Sequence, residues 1–364
     1  MSGSFRFGRI AGIKIFVHWT FFLLIGWIFT MHMMAGRGPA AAAMGVVFIL
    51  ALFACVVLHE LGHALAARRY GVATRDITLL PIGGVARLER IPRNPRHELV
   101  VALAGPAVNV VIALFLFIGL LGTHQTQLIT DFAALQENFF VQLMAVNIFL
   151  VAFNMIPAFP MDGGRVLRAL LARRLNYARA TMLAARIGQV IAVALGVGGL
   201  FVLHNPMLLL VALFVFFGAR TEAGAVQVTD SLAGTQVQEA MMTNFRVLNA
   251  DDALAVAAQE LIHGSQQDFP VTNGDKVVGI LTRDDLVAAL AQIGPERRVG
   301  EVMRPNCSVV SATDQLEKPY EMLRAENCST VPVVREGHLV GMITLENILE
   351  WVMINTALHR RSTA

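Results

Sequence analysis

Apolar and polar positions divide this chain into two parts. Up to about residue 220, long apolar runs alternate with short basic segments. Six runs are predicted as membrane helices, several of them long enough to cross a bilayer, which takes about 20 residues of helix. They cover about Ile15 to Met34, Ala43 to Arg68, Leu99 to Leu121, Phe139 to Ile156, Leu183 to Leu203 and Pro206 to Phe217. Only "HNP" separates the last two, which predicts a tight helical hairpin. The opening segment, MSGSFRFGRIAGIKIFVHW, has a basic start but no clear small-residue cleavage site after it. It therefore reads as the start of a first membrane helix rather than a removable signal.

Beyond about Thr221 the pattern changes to short Val/Ile-rich stretches between amphipathic helical ones, and it repeats. VQEAMMTNFRVLNADDAL from Val237 matches VGEVMRPNCSVVSATDQL from Val299, and FPVTNGDKVVGILTRDDLV from Phe269 matches VPVVREGHLVGMITLENIL from Val331. Met241 and Met303, like Gly279 and Gly341, stand 62 residues apart. An offset without gaps means two copies of one unit, each read as strand, helix, strand, strand, helix. The fold class is thus a polytopic α-helical membrane protein, with about six spans and a small membrane-associated β segment, followed by a soluble α+β tandem. The expected divisions are a membrane domain at 1–221, a short linker at 222–231 and repeats at 232–294 and 295–357.

Composition agrees with this division. Hydrophobic residues make up 55% of the chain and charged residues 15%, against about 25% charged in soluble domains. Mean hydropathy is +0.60. A net charge of +3 gives no sign of a nucleic-acid partner. Arginine placement is more telling. Arg6, Arg9 and Lys14 precede the first run. Arg69, Arg75, Arg87, Arg90, Arg93 and Arg96 separate the second from the third. Arg165, Arg168, Arg173, Arg174 and Arg179 separate the fourth from the fifth. The alternate loops hold Arg37 alone, and the loop from Gly122 to Glu137 has no lysine or arginine. By the positive-inside rule, both termini and the soluble repeats face the cytoplasm of a multi-pass plasma-membrane protein. Three cysteines, Cys55, Cys307 and Cys328, form no CxxC pair and no visible disulfide framework.

Candidate chemistry enters at VVLHELGHAL, inside the second apolar run. Ionisable groups in a span are costly and functional by default. On a helix, His59 and His63 share one face, and Glu60 adjoins the first. Two neutral imidazoles there suit zinc, with the glutamate as general base. A catalytic zinc takes a third protein ligand. One candidate is Asp162 in FNMIPAFPMDGGR, where Pro157 and Pro160 break the helix; the other reading of Asp162 is a cap on the helix that follows. Cys55 stands one turn before His59 and reads as a small buried hydrophobe.

HELGH together with N-x-x-P-x-x-P-x-D-G resembles the site-2 protease family of intramembrane zinc metalloproteases, over about residues 1 to 220. The resemblance implies His59, His63 and Asp162 as zinc ligands, Glu60 as catalytic base and Asn154 as a residue holding substrate or intermediate. AGPAVN matches the family's G-P-x-x-N, so Gly105 becomes a close-packing point. Asn109 is then either part of the site or an interhelical hydrogen bond. The family places DITLLPIGGVARLER, two short β segments around Gly83 and Gly84, as a membrane-associated sheet beside the site, whose edge can capture an unfolded stretch of membrane protein substrate.

The repeats resemble paired CBS domains, which often bind adenine nucleotides such as ATP as regulatory ligands. The resemblance places Asp285 on a ribose and Thr282 near the phosphates in the first copy; Thr344 recurs in the second, but Asn347 replaces the aspartate. That implies one good and one weak site, and it leaves open a dimer or higher oligomer formed through the pair. Two rival functions stand beside the protease: a nucleotide-gated transporter or channel, and an inactive substrate-binding relative.

Overall fold

The computed structural model describes residues 3–81, 83–88, 94–122, 138–274, 276–305, 308–325 and 329–362. Arg90, Arg93, the Gly122 to Glu137 loop after its first residue, Cys307 and Cys328 lie outside the described residues. The chain divides into two compact units, Met1–Gly224 and Ala225–Ala364.

The first unit corrects the sequence reading at its start. Ile15 to His18 are strand, not helix. β1 (Ser4–Ile10) and β2 (Ile13–His18) form an antiparallel hairpin, turned at Ala11 and Gly12, both at positive φ. β2 also pairs in parallel with β3 (Thr74–Leu80), and β3 pairs with β4 (Gly83–Leu88) in antiparallel fashion. The basic residues Arg6, Arg9 and Lys14 therefore sit on a sheet. Ile13, Ile15 and Val17 alternate inward, as strand periodicity demands.

Seven helices are described in or from this unit: α1 (Thr20–Met34), α2 (Gly38–Arg69), α3 (Pro95–Gly122), α4 (Phe139–Asn154), α5 (Asp162–Leu171), α6 (Tyr177–Phe201) and α7 (Pro206–Leu232). Four of them, α2, α3, α6 and α7, are long and apolar enough to cross a membrane. α1 and α4 are apolar but shorter. At 32 residues, α2 is about 48 Å long, well beyond the ~30 Å apolar core of a bilayer. Large apolar side chains such as Val111, Phe115, Phe149 and Phe214 stand exposed along these helices, which suits lipid rather than water. β2 and β3 pack on α2 through Ile13, Ile77, Leu61 and Ala64. The hairpin expected at "HNP" forms: Asn205 accepts from the Met207 amide at the start of α7, and Gly199 of α6 lies against Leu208.

The segment 222–231, expected as a short linker, is helical throughout and belongs to α7.

The second unit contains β5 (Leu248–Asn249), α8 (Leu254–His263), β6 (Phe269–Asn273), β7 (Lys276–Leu281) and α9 (Arg283–Gln292). It continues with α10 (Val299–Val302), β8 (Arg304–Pro305), β9 (Val310–Ser311), α11 (Glu317–Ala325), β10 (Thr330–Arg335), β11 (His338–Thr344) and α12 (Leu345–Ser362). The order is the one the repeat predicts. Its two sheets run β5-β6-β7-β8 and β11-β10-β9. Each repeat lends its opening segment to the other: Arg304 of the second pairs with Ile280 of the first, and Met242 of the first pairs with Met342 of the second. One core gathers Leu248, Phe269, Leu281 and Leu286; the other gathers Val310, Val331, Ile343 and Ile348, with Leu232 from the end of α7.

Candidate metal centre

α2 carries His59 and His63 one turn apart, both buried. α3 packs beside it and orients both rings. His63 Nδ1 donates to the Val101 carbonyl at 2.7 Å. The His59 ring is set by a longer relay that begins at a backbone carbonyl on α4. Asn147 Nδ2 donates to the Leu143 carbonyl at 2.8 Å, so Asn147 Oδ1 faces Asn109 and accepts from its Nδ2 at 2.8 Å. Asn109 Oδ1 is then turned to accept from His59 Nδ1. A neutral imidazole has one proton, and in each ring Nδ1 uses it. Both Nε2 atoms are left with bare lone pairs, 3.1 Å apart.

Asp162 meets them there. Its Oδ2 lies 3.2 Å from His59 Nε2 and 3.1 Å from His63 Nε2. It is the first residue of α5, and Met161 precedes it in extended conformation. Asp162 therefore does not cap the helix; its carboxylate points to the imidazoles. Three electron-pair donors, within 4.8 Å of one another and all buried, repel unless a cation lies among them. Two imidazole nitrogens and a carboxylate oxygen are a donor set that zinc takes, with a fourth position left open. The residues present fit that ion.

Gly105 of α3 makes the approach possible. A Cβ there would stand 2.2 Å from His63 Nε2 and 2.7 Å from His59 Nε2. Gly84 of β4 plays a similar part on the other side, where a Cβ would meet Glu60 Cγ at 2.9 Å. The β segment expected beside the site thus lies against the glutamate. Asn154 ends α4, half-buried, with no hydrogen bond to the three donors among the described residues. Cys55 is buried and receives a weak 3.5 Å contact from Asn147 Nδ2.

Sequence reasoning missed Asn147, although a single asparagine in FFVQLMAVNIFLVAF is a signal. It also missed a buried ionic group. Arg168 of α5, counted above among the loop cations, is fully buried. Its Nε and Nη2 lie 2.7 and 2.6 Å from Glu98 Oε1 on α3, and its Nη1 lies 2.7 Å from Glu222 on α7. The guanidinium lies over the rings of Phe159 and Tyr177, 4.9 and 5.0 Å from their centres.

In the second unit, the sequence-predicted nucleotide residues lie at two helix starts. Thr282 caps α9 by accepting from the Asp285 amide, and its hydroxyl donates to Asp285 Oδ2 at 2.6 Å. Arg304 grips the same carboxylate with two donors, at 2.6 and 3.1 Å. This pairing holds the Asp285 carboxyl below its ordinary range. Thr344 and Asn347 repeat the cap at α12, where Asn347 Oδ1 accepts from the Thr344 hydroxyl at 2.9 Å. The counterpart of Arg304 in the first repeat, 62 positions earlier, is Met242. One carboxylate therefore has its own arginine, and the opposite site is neutral.

A model described as peptidase family M50 matches residues 47–139 and 126–195, and a CBS domain model matches 237–292 and 299–354. A zinc metalloprotease of Methanocaldococcus jannaschii is 34% identical over 357 residues, 97% of this chain and 97% of its own length. Stage IV sporulation protein FB of Bacillus subtilis is 26% identical over 43% of this chain and 51% of its own. Among solved structures, a site-2 protease from Methanocaldococcus jannaschii shares 38% identity over 60% of this chain and 95% of that one, with a TM-score of 0.44.

Proposed function

The chain belongs to peptidase family M50 and is a membrane zinc metalloprotease with a tandem CBS module, and from that premise we propose how its own residues carry out the cleavage. His59, His63 and Asp162 hold the metal. When bound, zinc supplies the Lewis acidity that polarises a peptide carbonyl and makes water easier to deprotonate. Glu60 takes the proton from the attacking water and returns it to the amide nitrogen as the C–N bond breaks. Asn109 and the Val101 carbonyl keep both imidazoles in the tautomer that presents Nε2. The Asn154 side chain makes no hydrogen bond among the described residues, so its amide is free to hold a substrate carbonyl. β4, with Gly84 against Glu60, offers its edge to a substrate segment drawn out of helical form, since a helical peptide bond is shielded from attack.

The observation that carries this reading is the convergence of three buried metal donors beside Glu60. The transporter reading has no comparable support, because the buried ionisable side chains described in the first unit gather at this one site and at the Arg168 ion group. The test is metal content and cleavage by purified protein. His59→Ala, His63→Ala and Asp162→Ala lose zinc or bind it far more weakly. Glu60→Gln keeps about one zinc per chain and loses cleavage of a membrane-protein substrate. Full proteolysis by Glu60→Gln would remove the base from this mechanism; it would equally answer the inactive-relative reading.

The proposal extends to placement and control. The protein sits in the plasma membrane with both termini and the CBS pair in the cytoplasm, supported by the arginine-bearing segments. An adenine nucleotide on the first repeat, at Thr282 and Asp285, adjusts the cleavage rate, and the pair offers a surface for a homodimer.

A further inference from the structure

Resting on the zinc reading, we propose that Arg168 is a positioning residue of the metal centre. It locks α5 to α3, and so sets where Asp162 stands relative to the two histidines.

The metal site is built from two halves. One is α2 with α3: α3 supplies the Val101 carbonyl that orients His63, the Gly105 surface against both rings and the Asn109 that orients His59. The other half is α5, which brings Asp162. α5 has ten residues, too few to hold its shape or place alone. Its position depends on what grips it. At its start, Gly163 is pressed on the preceding turn, where a Cβ would lie 2.3 Å from the Ile156 carbonyl. That contact seats the helix end but lies within the same stretch of chain. Arg168 supplies the grip on the other half. Six residues after Asp162, at ~100° per residue, it projects roughly 120° away around the helix. Anchors on two faces fix rotation about the axis as well as position. Its partner Glu98 lies on α3, one turn before Val101. Within the wider packing of α5 on α3, this ion pair ties the helix that orients both imidazoles to the helix that delivers the carboxylate.

The chemistry suits this task. A guanidinium presents donors in a rigid fork, and here the fork spans carboxylates on two different helices and lies over two aromatic rings. A lysine carries the charge but not the plane or the span. Buried charges hold their partners in place because breaking the group leaves a charge uncompensated.

The experiment uses the full chain in detergent. Zinc affinity is measured by competition with a chromophoric chelator, and ligand geometry by the visible absorption of the Co2+-substituted protein. Arg168→Lys is expected to weaken zinc binding about 10- to 100-fold, the range for groups that orient ligands, and to change the Co2+ bands. Glu98→Gln, which keeps the size and one acceptor, is expected to shift both in the same direction by a smaller factor. It answers the question alone if Arg168→Lys does not fold. Folded variants that melt earlier but bind zinc as tightly as wild type, with unchanged Co2+ bands, overturn the proposal and leave the ion group as a structural staple. A wild-type chain that binds no metal overturns the zinc reading first, and this proposal with it.

Discussion

Hydrogen-bond direction decides what each residue at the metal centre can do. The Asn147–Asn109–His59 relay is oriented by a backbone carbonyl, which cannot donate, so the imidazole at its far end has one allowed tautomer. Asn147→Leu breaks the relay at its root. It is expected to weaken zinc binding about 10- to 100-fold without removing a ligand, as chelator competition would show. Gly105→Ala is expected to be more severe: its Cβ would stand 2.2 Å from His63 Nε2, and metal analysis of the purified variant should find no bound zinc. On the proposed nucleotide reading of the second unit, Arg304 would compete with a ribose for Asp285 and would itself attract phosphate. AMP is therefore expected to bind more tightly than adenosine. Arg304→Ala should reverse that order by several-fold in calorimetry on the whole chain, and unchanged affinities for both ligands would take Arg304 out of the site. The histidines and Glu60 were legible in the sequence because their chemistry depends on spacing within one helix. Glu98, Arg168 and Glu222 were not. The three are spread over 125 residue positions, from 98 to 222, and each looks like an ordinary helix-end charge until the fold brings them together.

Elements were legible where hydropathy and length agree, and not where one apolar run holds two structures. IKIFVHWTFFLLIGWIF is apolar almost throughout, so hydropathy gives no sign that strand yields to helix near Trp19. The signal was in the turn before it, where a glycine follows Ala11 between apolar stretches. The sixth run was cut at Phe217 because charges follow it. The helix continues because no proline occurs between Arg220 and Leu232, and the lone Gly224 is tolerated. Burial of Arg168 removes one cation from the topology count, and Arg165, Arg173, Arg174 and Arg179 remain to carry the proposed cytoplasmic placement of that segment. A cysteine introduced in the loop between α3 and α4 is expected to react with an impermeant maleimide from outside intact cells. One placed beside Arg173 is expected to be protected, and the opposite pattern inverts the topology. At this scale the ion group also has a stability consequence. Arg168→Met leaves two carboxylates facing an apolar side chain, at a cost of about 3–5 kcal/mol, which should appear as a sharply lower melting temperature.

In the whole molecule, the candidate metal centre and the tandem repeat occupy separate units, and the repeat made the second legible almost residue by residue. The 62-residue offset holds from sequence to sheet: the exchange of opening segments obeys it too, with Arg304 on Ile280 mirrored by Met242 on Met342. The offset also exposes where the copies diverge, at Asp285 against Asn347 and Arg304 against Met242, and asymmetry of this kind is what a single regulatory site needs. The membrane unit has no such internal check, which is why the sheet at its start and its ion group emerged only from the structure.

α7 is continuous from Pro206 to Leu232. Its middle is clamped in the first unit, where Glu222 meets Arg168, and its last turns are rooted in the second, where Val228 and Leu232 join the core. The ten steps from Glu222 to Leu232 span about 15 Å of α-helix. Were the proposed nucleotide control to run along this helix, the helix would act as a shaft. Its length is then read as an angle: each inserted residue turns one end by ~100° against the other, and seven bring it back within about 20° of its starting phase. Alanine insertions after Gly224 should therefore affect nucleotide control of cleavage periodically, with one, two or three residues abolishing it and seven restoring most of it. A monotonic decline with insert length would mean that the joint transmits distance rather than twist.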